Sequence, residues 1–194
     1  MARPKEFDER EALVKALHVF WRTGYLGTSI QDLTDAMQIN RQSLYDTFGD
    51  KRELFLAVME HYIRNEGIRW IRPLFDADVD IQTRLRRTFG NIADEAVHDN
   101  QALGCLIVNA SVECRSMDTE ISDCLNRAML DTEMCFYNAL SLAQEKSEIG
   151  PELNPRSLAR YFLNAVRGLR IMARSRPERA AMQEIIDLTL SVLT

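Results

Sequence analysis

Between Gly27 and Gly49 the chain has room for only two short helices, and that constrains everything around them. The first starts at Thr28 or Ser29, either of which can cap it, and carries Ile30, Leu33, Ala36 and Met37 on one face. Gln38-Ile39-Asn40 interrupts it. Asn40 then has the side chain to cap a second short helix, in which Leu44 and Phe48 face inward and which Gly49 ends. Helices this short bury too little apolar surface to stand alone, so they need a platform. Residues Phe7 to Gly24 supply one, with Leu13, Ala16, Leu17, Phe20 and Trp21 on a single face and Gly24 as the stop. The pattern predicts a trihelical unit that holds its third helix out toward a DNA major groove.

The rest of the chain is also helical in period. Asp50 can cap a fourth helix through Leu54, Val58 and Tyr62 to about Gly67. Beyond Pro73, helices are predicted over Val79–His98, Leu103–Cys114, Asp118–Lys146, Arg156–Arg174 and Pro177–Leu193. Prolines fall between these segments and strand-like alternation is almost missing. The fold expected is all-α, about nine helices, with a small helix-turn-helix head and a larger helical bundle.

Taken at face value, composition opposes a nucleic-acid partner, because 24 Lys+Arg face 29 Asp+Glu for a net charge of −5. Even the head is acidic, with nine basic and eleven acidic residues before Gly67. Placement decides more than the sum. Arg41 and Lys51 bracket the third helix, and Arg3 and Lys5 stand in an N-terminal arm that could reach phosphate, whereas Asp32 and Asp35 fall on the second helix and Asp46 lies beside Tyr45 on the third. On the outward face of the third helix stand Arg41, Gln42, Ser43 and Tyr45. Arg and Gln suit bidentate contacts with guanine and adenine edges, and Ser and Tyr hydroxyls reach phosphates. The charge therefore predicts weak nonspecific affinity, few phosphate contacts per head and reliance on base-edge readout.

Residues 7–67 resemble the DNA-binding head of the TetR/AcrR family of bacterial regulators. The matching run is Thr28-Ser29-Ile30-x-x-Leu33, then Ile39-Asn40-Arg41-x-Ser43-Leu44-Tyr45-x-x-Phe48-Gly49-x-Lys51-x-x-Leu54, with Phe20 and Gly24-Tyr25 before it. Leu103 to Asn109 resembles a stretch of one subset of that family. Thr34 stands where Ala is usual and Gln38 where a turn Gly is usual. The resemblance implies a DNA-binding domain over residues 1–50 and a ligand-binding and dimerisation domain over 51–194, linked by helix 51–67. It implies a transcriptional repressor, not an enzyme, that binds a palindromic double-stranded operator as a homodimer and is released by a small-molecule effector. By position, Thr28, Ser29, Tyr45 and Lys51 would meet phosphate, and Arg41, Gln42 and Ser43 the base edges. A self-complementary dimer interface is expected from the last two helices through Phe162, Val166, Leu169, Met182, Ile186 and Leu190.

Other residues keep two readings. Trp70, Phe89, Phe136 and Tyr137 either line an effector cavity or are core, and Asn109 either bonds neighbouring helices or faces the ligand. Cys105 follows Gly104 near a helix start, where the dipole favours a thiolate, so an electrophile- or oxidant-sensing repressor competes with simple packing. Cys124 and Cys135 share a buried face but lie three turns apart, beyond disulfide reach. A cysteine-nucleophile enzyme lacks a motif that supplies its base, and a small-molecule carrier without DNA binding is the remaining alternative. No metal site or cofactor is expected, since neither Cys nor His falls at ligand spacing. The charged N-terminus is no signal peptide, and no apolar run nears the roughly 20 residues that cross a bilayer, so a cytoplasmic protein without a membrane partner is expected.

Overall fold

The computed structural model of the chain describes residues 7–99, 102–114, 118–175 and 177–193; Arg3 and Lys5 lie outside them. Nine α-helices and no strands occur among the described residues. They form two compact units, one of residues 1–66 with 109–125 and one of 67–108 with 126–194.

In the first unit, α1 (Glu9–Gly27) is capped by Asp8, whose side chain accepts from the Arg10 and Glu11 N–H groups. It buries Ala12, Ala16, Leu17, Val19 and Phe20. Gly24 stops the regular helix as its sequence suggests, with φ 77° and ψ 170°, and one further helical turn runs on from it to Gly27. Next come α2 (Ile30–Met37), α3 (Arg41–Phe48) and α4 (Lys51–Asn65). Leu33, Leu44, Leu54 and Val58 are fully buried. The Phe20 and Phe55 rings meet edge to face at 5.0 Å, and Trp21 meets Tyr62 in the same way at 5.1 Å, so α1 and α4 form the platform that the two short helices need. The unit also takes in Asn109–Leu125, which holds most of α6 (Leu106–Glu113) and the start of α7 (Thr119–Glu145).

The second unit packs α5 (Ile81–His98), the remainder of α7, α8 (Pro155–Met172) and α9 (Arg179–Leu190) around one apolar core. At its centre the Phe89, Phe136 and Phe162 rings lie 5.8–6.2 Å apart. Phe162, Val166, Leu169, Met182, Ile186 and Leu190 all belong to this core. They are covered by α5 and α7 of their own chain and offer no surface to a second copy. The outward faces of α8 and α9 instead carry Tyr161, Ile171, Ile185 and Leu188, with Val192 in the turn that follows α9.

Candidate nucleic-acid interface

Local chemistry sets the two short helices. At the start of α2 the Asp32 N–H donates to the Ser29 hydroxyl oxygen (3.1 Å) and the Ser29 N–H to the Asp32 carboxylate (2.8 Å), a reciprocal capping box. The Ser29 hydroxyl, which also donates to the Asp32 carboxylate at 2.7 Å, and then the Ser29 N–H lower the pKa of the Asp32 carboxyl. At its far end Gln38 takes the left-handed conformation (φ 59°, ψ 40°) and its N–H returns to the Thr34 carbonyl. A non-glycine residue there costs about 1 kcal/mol. Thr34 is buried in the position of the usual Ala, and its hydroxyl donates to the Gln31 carbonyl at 3.0 Å. Asn40 then accepts from the Ser43 N–H at 2.8 Å and starts α3.

With Leu44 fully buried, the opposite face of α3 points away from the platform. Arg41 and Gln42 are exposed, Ser43 is half-buried, and Tyr45 keeps 47% of its surface. Lys51 is half-buried, its ammonium 4.6 Å from the centre of the Tyr25 ring. Burial first, then the nearby Asp118 carboxylate, raises the Tyr25 hydroxyl's pKa, so this ring stays neutral beneath the cation. Thr28 and Ser29 have their hydroxyls occupied by the protein. Thr28 is buried and donates to the Gly24 carbonyl at 2.6 Å, while Ser29 serves the cap. What remains open toward a partner is therefore the row Arg41, Gln42 and Tyr45.

The end of α6 and the start of α7 grip this head in two places that its sequence does not signal. The Glu113 carboxylate accepts from the Tyr25 N–H (3.1 Å) and the Leu26 N–H (2.5 Å), just past the break at Gly24. Arg52 donates to Asp118 through Nε (2.5 Å) and Nη2 (3.3 Å), and to Glu120 through Nη2 (2.6 Å). Asp118 also accepts the Ile121 N–H at the start of α7. The Arg52 guanidinium, and then that N–H, hold its carboxyl well below the ordinary value.

The residues expected to meet an effector are placed apart. Trp70, Phe89 and Phe136 are buried in the core of the second unit. Tyr137 is half-exposed under the Arg156 guanidinium, 4.3 Å from its ring centre, beside a groove of about 480 Å³ shared with Ser141, Gln144 and Asn154. Cys105 is buried just before α6. Asn109 is half-buried on α6, in the first unit.

A short helix held by a three-helix platform, with an arginine, a glutamine and a tyrosine outward, defines a helix-turn-helix DNA-binding regulator. Residues 12–58 match the model of bacterial regulatory proteins of the tetR family, and residues 82–188 match that of the tetracyclin repressor-like C-terminal domain. The chain is 33% identical, over the full length of both, to YezE of Bacillus subtilis (strain 168), an HTH-type transcriptional regulator. It is 29% identical to the HTH-type transcriptional repressor ComR of Escherichia coli (strain K12), covering 97% of this chain and 90% of that one. It also superposes with a TM-score of 0.88 on a cysteine-substituted form of the TetR-family regulator CifR in complex with a 26-base-pair operator DNA, at 26% identity over the whole of both chains. The protein belongs to the TetR family. Its members are DNA-binding transcription factors, not enzymes. No helix among the described residues is long and apolar enough to cross a membrane.

Proposed function

We propose that this regulator is a cytoplasmic repressor that binds a palindromic operator as a homodimer and leaves it when a small molecule binds. The division of labour is a DNA-reading head over residues 1–50 and an effector-binding and dimerising body over 51–194. The observation that carries it is the outward row Arg41, Gln42 and Tyr45 on a helix whose other face is locked by Leu44. Arg41, Gln42 and Ser43 stand nearest the base edges. Tyr45 and Lys51 take phosphates, and Thr28 and Ser29 stand at the N-terminus of α2 as the candidates for another.

The outer face of α8 and α9 supports dimerisation. Tyr161 and Leu188 expose 44% and 74% of their surface, and Ile171, Ile185 and Val192 continue the patch. Gly168 lies among them in the middle of α8, and a Cβ added there would meet nothing within 4 Å of its own chain. A glycine inside a helix costs about 1 kcal/mol relative to Ala, and close approach of a partner's helix gives that position a use. Two such pairs of helices make a self-complementary four-helix interface.

An effector that binds better to a state with a different head separation lowers DNA affinity by that difference. Of the effector-side candidates in the second unit, Tyr137 lies beside the groove, whereas Trp70, Phe89 and Phe136 are core and Cys105 is buried; Asn109 belongs to the first unit. Selection of duplexes from random DNA, repeated across salt concentrations, tests the function. A selected palindrome whose affinity falls steeply with salt is expected, and failure to enrich any sequence refutes the proposal. Gln42→Ala should change the preferred bases, whereas Lys51→Ala should weaken all sites alike.

A further inference from the structure

Arg41 and Gln42, the two long side chains on the open face of α3, are each hydrogen-bonded to a neighbouring side chain. Arg41 donates through Nη2 to Gln31 Oε1 at 3.0 Å, and Gln31 donates through Nε2 to Asp35 Oδ1 at 2.7 Å. Gln42 donates through Nε2 to Asp46 Oδ1 at 2.7 Å, one turn along the same helix. The chemistry of the partners dictates how each amide is turned. An amide between a guanidinium and a carboxylate must aim its oxygen at the first and its nitrogen at the second, because the reverse sets donor against donor. An amide bonded to a carboxylate alone must likewise present nitrogen to it. Gln42 is thereby left with its oxygen and one remaining N–H side by side, and Arg41 with its other guanidinium donors.

We propose that Asp46 and Gln31 are specificity-determining positioning residues: Asp46 orients the Gln42 amide to read adenine, and Gln31, held by Asp35, orients the Arg41 guanidinium to read guanine. This rests on the reading of α3 as the base-contacting helix. The adenine edge offers an N6 donor beside the N7 acceptor, matching the oxygen and the spare N–H of a fixed Gln42; the guanine edge offers two acceptors, matching a guanidinium fork. A free amide can flip, and a flipped Gln42 sets its N–H against the adenine donor and its oxygen against N7.

Asp46 itself carries a negative charge on a surface that must approach phosphate, so it lowers affinity for every DNA sequence. Its removal is therefore expected to act in opposite directions on affinity and on discrimination. A residue that only stabilises the fold does not produce that pair of effects.

The test uses the full chain as wild type, Asp46→Ala and Asp46→Asn, each selected against random duplex DNA and then titrated on single-base variants of the wild-type site. Asp46→Asn removes the charge and, because its amide can offer Gln42 either an oxygen or an N–H, no longer dictates which way that amide is turned. At one adenine of each half-site, wild type should discriminate about tenfold or more, and Asp46→Ala should fall to about threefold or less. Asp46→Asn should also lose part of the preference, and both variants should bind random duplex more tightly at low salt. Full retention of every preference by Asp46→Ala, or random-duplex affinity unchanged in both variants, would overturn the proposal. If wild type selects no sequence at all, it is the base-reading role of α3 that fails.

Discussion

Glu113 and Gly24 fit each other through a missing side chain. A Cβ built on Gly24 would stand 2.6 Å from one Glu113 carboxylate oxygen and 2.9 Å from the other, and the same carboxylate accepts the N–H groups of the next two residues. The glycine has φ 77° and ψ 170°, a region that is essentially glycine-only. Gly24→Ala should therefore destabilise the protein by about 2 kcal/mol or more. That corresponds to a fall in melting temperature of roughly 5 °C for a chain of this size. Combining it with Glu113→Ala removes the collision but not the backbone strain, so the double variant should lose less than the sum of the singles. Thermal melts of the four proteins measure this, and simple additivity would show that the two residues are not coupled.

The Arg52–Asp118 contact predicts a pH dependence. The folded carboxyl titrates below the unfolded one, so its contribution is complete above the ordinary aspartate value of 3.8 and is lost as pH falls through the lower folded value. Stability of the wild type should decline below about pH 4 more steeply than that of Asp118→Asn. Denaturant midpoints between pH 2 and 6 measure the two slopes, and parallel curves would remove Asp118 from the account.

Cys114 should be inert in the folded protein. It is fully buried, and burial first, then the neighbouring Glu113 charge, pushes its thiol up to about 11. At pH 8 only about a thousandth of such a thiol is ionised. Iodoacetamide should leave Cys114 unmodified in native protein and label it after denaturation, as read by peptide mass spectrometry. Because the folded value is raised, the contribution to stability is present below pH 9 and lost as pH climbs toward 11. Rapid native labelling would mean that the segment around Cys114 opens readily.

Leu188→Arg places a charge on the most exposed large apolar residue of α9 without touching the core. With the proposed dimer, it should shift the protein toward monomer in sedimentation velocity while leaving its helix content intact. Met182→Ala, at a fully buried position, should instead lower stability by about 2–5 kcal/mol. Both variants behaving alike would contradict the separation of an outer face from an inner one.

The sequence by itself determined what is settled within three or four residues. Asn40 and Asp50 cap the helices they precede, and Leu33, Leu44 and Leu54 take the buried positions. Gln38 adopts the left-handed turn where the family resemblance implied glycine. These outcomes follow from cap hydrogen bonds and one-sided apolar spacing, which the local chain supplies. Only the tertiary structure decided the rest. On α8, apolar residues occur on both faces, and period cannot distinguish the side covered by α5 and α7 from the side left open. Phe162, Val166 and Leu169 thus went inward, and Tyr161 and Ile171 outward. Arg52 meets Asp118 across 66 residues, and Glu113 meets Leu26 across 87. Such carboxylates look like any solvated charge in the sequence, because their partners are chosen by how helices pack rather than by the spacing along one.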